Sequence, residues 1–407
     1  MRTITALAVV WALFTLGGGQ GPRVSAATAE GPQTTEGVEE GEDGPATVSL
    51  EDAGLQTLWR LKLRLAFQEK VVRMWPLDEK LYCLTSRGKL IAIDARRGVP
   101  MWSYTVPANG EPIFMPTHPP VPVNVRIEQE GERKEKTFDA VVLNTMTRLI
   151  VLDRADGTEV RNLRLERPAN SSCSSDGVNA YIGSVNGLYH AFTLEKGVLV
   201  WTRSTDGMIS APVVYSRGHV YVASEDATFY VTRVGPQSQA VWRYKFGGPV
   251  TAPFVVADNV CFVACRDSKL YALEAFTGDQ LWPPFICRAD LTTPPQLGRN
   301  LVFQYAEGDK FYAINTTNGA EMWSTPDGRL VLAAIGKDVY LLDRFRKLRI
   351  IDEESGKLKA AVSLWGMTVF APNTTHPAIY GASDSGWVVC INQVSEGRLK
   401  PDMFLEK

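Results

Sequence analysis

Short runs of alternating apolar and polar residues recur along this chain at a nearly constant interval. The clearest copy, Asn259 to Trp282 (NVCFVACRDSKLYALEAFTGDQLW), reads as a strand over 260–264, a polar turn at Arg266, Asp267 and Ser268, and a second strand over 269–273. A Thr-Gly turn closing at Gly278 then leads into a third strand ending on Trp282. Such a meander buries little by itself and leaves two open edges, so it is stable only when copies pack on one another.

The paired inner strands are legible at eight places, starting near Leu81, Ala140, Ala180, Val220, Val260, Leu301, Val339 and Ile379. In most copies an acid or amide and a glycine turn follow: Asp94 with Gly98, Asp153 with Gly157, Glu274 with Gly278, Asn315 with Gly319, Asp352 with Gly356. A strand ending on a bulky residue comes next, at Trp102, Leu163, Trp201, Trp242, Trp282, Trp323 or Val362. From Trp201 onward the interval is about 40 residues, the length of one four-stranded propeller blade.

The chain ends predict how the array closes. The eighth copy stops after Asn392 without a Trp strand, whereas Trp59 stands in a strand (57–66) that has no inner strands before it. Joined, the two fragments complete one blade, which predicts an all-β, eight-bladed propeller over 55–394 closed by an N-terminal strand, with a C-terminal tail at 395–407. Closure removes the open edges of the array. The innermost strand of each blade is expected in a second recurring piece, at 209–213, 250–254, 291–294 and 369–372, which combines small residues with a proline tolerated at an edge. These segments are expected to line the central channel. The long first interval holds an insertion at 118–137, rich in proline and then in charge.

The amino terminus departs from the repeat. Arg2, an apolar run from Ile4 to Leu16, and Val24-Ser25-Ala26 read as a cleavable export signal over 1–26, its core too short to span a bilayer. No cysteine precedes Cys83, so the signal lacks a lipid-acceptor cysteine. Residues 27–54 contain eight acids and no Lys or Arg, which predicts a disordered acidic leader. Two of the chain's 43 basic residues and eight of its 45 acidic ones lie in the first 54 positions, so the remainder is mildly positive. That charge argues against a nucleic-acid partner. A periplasmic or secreted monomer without a transmembrane anchor is expected.

Six cysteines (Cys83, Cys173, Cys261, Cys265, Cys287, Cys390) form no CxxC pair. Buried free thiols and a bridge, through Cys287 or between the first and last repeats, both stay open. With four scattered histidines (His118, His190, His219, His376) they show no metal-ligand spacing.

The stretch 270–282, with its relatives at 90–102 and 311–323, resembles the repeat of the quinoprotein-like (PQQ-like repeat) β-propellers over roughly 57–392. The resemblance implies that each repeat tryptophan docks on the turn of the neighbouring blade. One branch of the family comprises pyrroloquinoline quinone dehydrogenases. The other comprises noncatalytic periplasmic propellers, similar to the scaffold subunit of the outer-membrane β-barrel assembly machinery.

The first branch needs a sandwiched quinone, a calcium ion on hard oxygen ligands and an Asp base. This chain lacks the adjacent cysteine pair of those enzymes, and its candidate carboxylates Asp206, Asp226 and Asp290 all read as turn residues. No catalytic residue, cofactor or metal is therefore expected. Trp59, Trp102, Trp201, Trp242, Trp282 and Trp323 are assigned to blade packing. Candidate binding positions lie outside the repeat: Asp206 at the channel mouth, Arg126 and Arg133 on the insertion, Trp365 and Trp387, with Trp75 also off the repeat position. The expected function is a protein-protein interaction scaffold in the cell envelope, its partners unidentified. The alternatives are a quinone-dependent dehydrogenase and a small-ligand or polysaccharide binder at the channel mouth.

Overall fold

The computed structural model describes residues 47–404 apart from 130, 131, 236 and 365. The export signal, most of the leader and Trp365 lie outside the described residues. From residue 47 on, the chain is all-β, with two short 3-10 turns at its C-terminal end.

Eight sheets follow one another, each running from an inner strand to an outer one. Blade 1 shows the plan: Val71–Leu77, Lys80–Thr85, Lys89–Asp94 and Val99–Thr105, every neighbour antiparallel. Blades 3 to 7 repeat it, and blade 2 replaces its inner strand with a single bridge from Thr117 to Val142. In the last sheet Leu55–Lys62 pairs with Trp387–Gln393, so the chain's first strand is the outer strand of blade 8 and closes the ring. Antiparallel order puts the outer-to-inner crossovers and the middle hairpin turns on one face, here called upper. The inner hairpin turns and the glycine turns lie on the lower face.

In seven blades the outer strand carries a one-residue register shift, at Leu58, Met101, Val160, Val200, Val241, Met322 and Lys359. A bulge re-aims the residue after it. At four of these bulges that residue is a tryptophan whose ring meets the glycine turn of the next blade: Trp59 on Gly98, Trp102 on Gly157, Trp242 on Gly278, and Trp323 on Gly356. Trp282 reaches Gly319 in the same way. Each indole N–H then donates to a carbonyl of that turn, as from Trp59 to Ala95 (3.0 Å), Trp242 to Ala275 (3.1 Å) and Trp323 to Glu353 (2.7 Å).

The bulge register corrects two repeat assignments. In blade 2 the tryptophan position is Arg161, not Leu163. The Arg161 guanidinium donates to the Glu195 carbonyl (2.7 Å), and Leu163 covers Gly197 from the next inward position. In blade 7 the position falls to Ala360. Blade 5, the clearest copy in sequence, has the most interrupted outer strand. Gln280 makes one isolated bridge, Pro283 and Pro284 follow, and pairing resumes only at Phe285–Ile286, because proline has no N–H for the ladder.

Three expected inner strands are displaced for the same reason. The observed inner strands start after the prolines, at Val214–Ser216, Val255–Ala257 and Gln296–Leu297, while Val369–Phe370 falls where expected. Ile209, Val250 and Leu291 are fully buried between blades, their N–H groups bonded to the Ser184, Ser224 and Cys265 carbonyls.

Both ends of the described chain extend the seam. Residues 49–54, placed by sequence in the leader, form a turn in which the Leu55 N–H meets the Leu50 carbonyl (2.8 Å), and Val48 bridges Val362 of blade 7. This turn takes the place of the glycine turn in blade 8. At the other end Phe404 is buried against His376, with ring centroids 4.7 Å apart. All six cysteines are buried and unpaired.

Two outcomes test this packing. Gly278 has φ +79°, and a Cβ there would sit 2.6 Å from the Trp242 ring, so Gly278→Ala should destabilise the protein by about 2 kcal/mol or more in urea denaturation. Deleting 55–62 should lower the thermal midpoint of the whole ring rather than loosen one blade, since it reopens two edges.

Candidate functional site

The insertion is a β-hairpin, Val123–Gln129 paired with Glu132–Phe138, set between the inner bridge of blade 2 and its second strand. It therefore stands on the lower face. Its base is apolar: Val123, Val125 and Phe138 are buried in the core shared by blades 2 and 3. Arg161 donates to the Arg126 carbonyl and ties one edge of the hairpin to the outer strand of blade 2. The Arg126 side chain is exposed and faces Glu135 at 3.5 Å. Arg133 pairs by backbone with Glu128, and its side chain falls outside the described set.

Beside the hairpin base lies a polar network that the sequence reading missed. His118 Nδ1–H donates to Asp78 Oδ2 (2.7 Å), which leaves Nε2 to accept from the Tyr82 hydroxyl (2.8 Å). Arg154, from the glycine turn of blade 2, donates to the same Asp78 oxygen (3.1 Å) and lies 3.5 Å from Glu79. The His118 hydrogen bond, helped by Arg154, holds the Asp78 carboxyl below the usual carboxylate range against its burial. Asp78 occupies the tight inner turn of blade 1 with φ +46°. The one available signal was position: His118 opens the insertion, and Asp78 precedes the first legible strand pair. Tyr82 is fully buried, so the network fixes blades 1 and 2 and the hairpin base together and offers no exposed nucleophile.

The channel-mouth carboxylates are on the upper face and are structural. Asp226 Oδ2 accepts from the Asp206 N–H (2.8 Å) and the Tyr230 hydroxyl (2.8 Å), clamping the crossover onto blade 4. Asp267 with Tyr271 (2.5 Å) and Asp309 with the Arg288 N–H (3.0 Å) repeat this device in blades 5 and 6. Asp290 lies 3.6 Å from Arg266. Among the described residues no group of three or more His, Cys, Asp or Glu side chains converges on a point where a metal could sit. The donor set does not fit a calcium-quinone site, and no redox step is derived from it.

Of the off-repeat tryptophans, Trp75 packs against the buried cluster around Tyr82 and Trp102. Trp387 is half-buried at the upper end of the closing blade, with the Arg60 guanidinium 4.1 Å from its ring centre. The structure therefore separates the candidates. Arg126 and Arg133 share the hairpin on the lower face, while Asp206 and Trp387 sit on different blades of the upper face.

Two buried histidines set an acid limit for the ring. Burial lowers His376, packed between Tyr380 and Phe404 near Asp78, and His190, bonded to Thr202, to about 4. Below the ordinary histidine value the unfolded chain takes up protons that the folded sites refuse. Their contribution is complete above about pH 6.5 and is lost as pH falls to about 4. Urea midpoints should drop across this window, and His376→Gln should flatten part of the slope.

Comparison with known proteins agrees with this architecture. A profile of the family described as outer membrane protein assembly factor BamB matches residues 145–233 and 227–400, more than half of the chain. No curated protein matches the sequence significantly. Among solved structures, that of BamB from Moraxella catarrhalis is 16% identical, covering 83% of this chain and 97% of its own, with TM-score 0.61. The computationally designed Ika8 protein is 15% identical over 82% of this chain and 99% of its own, with TM-score 0.60. At these identities the likeness to solved structures is one of fold. The repeat register, the ring closure and the profile match together place the chain in the PQQ-like β-propeller family described as outer membrane protein assembly factor BamB.

Proposed function

We propose that this protein is an exported, noncatalytic scaffold of the cell envelope that presents the hairpin of its lower face to another protein, in outer-membrane assembly or upkeep. The observation that carries the reading is how the polar residues are used. Repeat tryptophans dock blades, channel-mouth aspartates clamp crossovers, and the Asp78–His118–Tyr82 network holds a hairpin base. The hairpin is the large feature that the ring does not need for closure. Family membership supplies the envelope context.

A hairpin anchored at its base is a good docking element. Its two strands pair only with each other, so a free strand edge offers backbone groups to an extended segment of a partner. Anchoring by Val123, Val125 and Phe138 and by Arg161 limits the ordering entropy lost on binding. Salt-dependent recognition is expected, because Arg126, Glu135 and their neighbours form a mixed-charge rim.

The test is to replace 126–135 with a two-residue turn, keeping the buried base of Val123, Val125 and Phe138, and to compare crosslinked partners from the envelope. The variant should keep the thermal unfolding of a closed ring while losing its envelope crosslinks. Unchanged crosslinks would move the binding surface elsewhere. Reconstitution with pyrroloquinoline quinone and calcium should give no stoichiometric bound-quinone absorbance; a complex would overturn the noncatalytic reading.

A further inference from the structure

The upper face at the ring closure carries a feature that neither blade packing nor the hairpin explains. Phe67, at the tip of the crossover from blade 8 to blade 1, is 84% exposed, the most exposed large apolar side chain described. Its loop is held stiffly. Arg87 donates to the Phe67 carbonyl (2.8 Å), Glu69 accepts from the Ala66 N–H (2.9 Å) and the Thr85 hydroxyl (2.5 Å), and the Ser86 N–H meets the Lys70 carbonyl (2.8 Å). Gln68 takes φ +62°, a left-handed conformation that a non-glycine residue adopts only where its surroundings enforce it. The tip is thus built to hold an aromatic ring in water.

Around the tip stand exposed Arg60, Lys62, Arg64, Lys70 and Arg87. Among the described residues none of these five forms an ion pair with a carboxylate. The two acids of the patch are engaged: Glu69 turns inward to Thr85, and Asp384 accepts from Thr368 (2.8 Å). A pocket of about 420 Å³ opens beside Phe67, with Lys62, Gln68, Lys70 and Ser385 on its walls. On the far side of this face, the middle turns of blades 4 to 6 carry Glu225, Asp226, Asp267, Glu307 and Asp309. These acids stand beside Arg266, Lys269 and Lys310, and Asp267 is paired with Lys269 (3.4 Å), so the upper face is basic and apolar at the seam and mixed in charge across the ring.

From this we infer that the seam is a membrane-surface contact, which tilts the ring so that Phe67 enters the headgroup layer of an anionic bilayer and the five cations meet lipid phosphates. An aromatic tip flanked by Lys and Arg is the chemistry of interfacial binding, in which the ring occupies the apolar boundary and the cations remain at phosphate depth. This contact lies on the face opposite the hairpin and does not depend on what the hairpin binds.

Vesicle co-sedimentation with the purified protein tests it, using phosphatidylcholine alone and with about one-third phosphatidylglycerol. Retention should appear on the anionic vesicles only and fall as salt is raised. Phe67→Ser should weaken it at least about tenfold, and Arg64→Gln with Lys70→Gln about 25-fold, fivefold for each cation removed. Both variants alter exposed side chains, so their unchanged thermal midpoints will show intact rings. Retention that ignores vesicle charge, or that survives both variants, overturns the inference. So does failure to bind either vesicle while an acidic peptide protects the tip, which would make the patch a protein site.

Discussion

The structure depends on one contact made again and again: a tryptophan of one blade lying flat on a glycine of the next while its N–H bonds to the same turn. The contact has three requirements. A bulge one residue earlier turns the ring out of its own sheet, a left-handed glycine leaves room where any Cβ would collide, and the turn carbonyl faces the indole. A blade alone is a sheet with two open edges and little core. Made at five of the eight blade junctions, the contact helps to join eight such sheets into a ring, and each copy adds the burial of a large aromatic to a directional hydrogen bond.

Departures from this contact are as informative as its repetition. In blade 2 a guanidinium replaces the indole and still reaches the neighbouring turn, so the hydrogen bond survives where the ring does not. Trp201 faces blade 4, whose corresponding turn carries Gly235 without the left-handed φ and clear of the ring. It stacks instead on Tyr181 and meets Tyr189 edge-on. Blade 7 carries only Ala360, and the N-terminal turn around Leu50 fills the space. Both ends of the described chain thus converge on blade 8 and its neighbours, where the ring's break in covalent continuity lies between Leu55–Lys62 and Trp387–Gln393, and their buried residues reinforce that seam.

Because blade packing absorbs the repeat positions, function is left to segments that differ between blades. The lower face gains an anchored hairpin with a charged rim, braced by Asp78, His118 and Arg154. The upper face gains a stiff aromatic tip among unpaired cations. These are opposite faces of one disc, so the two contacts can be made at the same time.

Periodicity alone determined the fold class, the blade number and the closure, because each rests on local spacing: strands alternate with period two, glycine turns recur, and Trp59 is a strand without partners. Sequence also separated the repeat tryptophans from Trp75 and Trp387. It misjudged what depends on register between strands. One bulged residue decides that Arg161 takes the tryptophan position while Leu163 covers Gly197 from further along the strand, and missing proline N–H groups decide where the inner strands begin. The seemingly best copy proved broken at Pro283 and Pro284 for the same reason. Only the tertiary structure brought Asp78, Tyr82, His118 and Arg154 together, since they lie up to 76 positions apart and meet through the packing of two blades. The seam patch was likewise absent from the sequence reading, since Ser385 meets Lys62 and Lys70 at one pocket only in the closed ring.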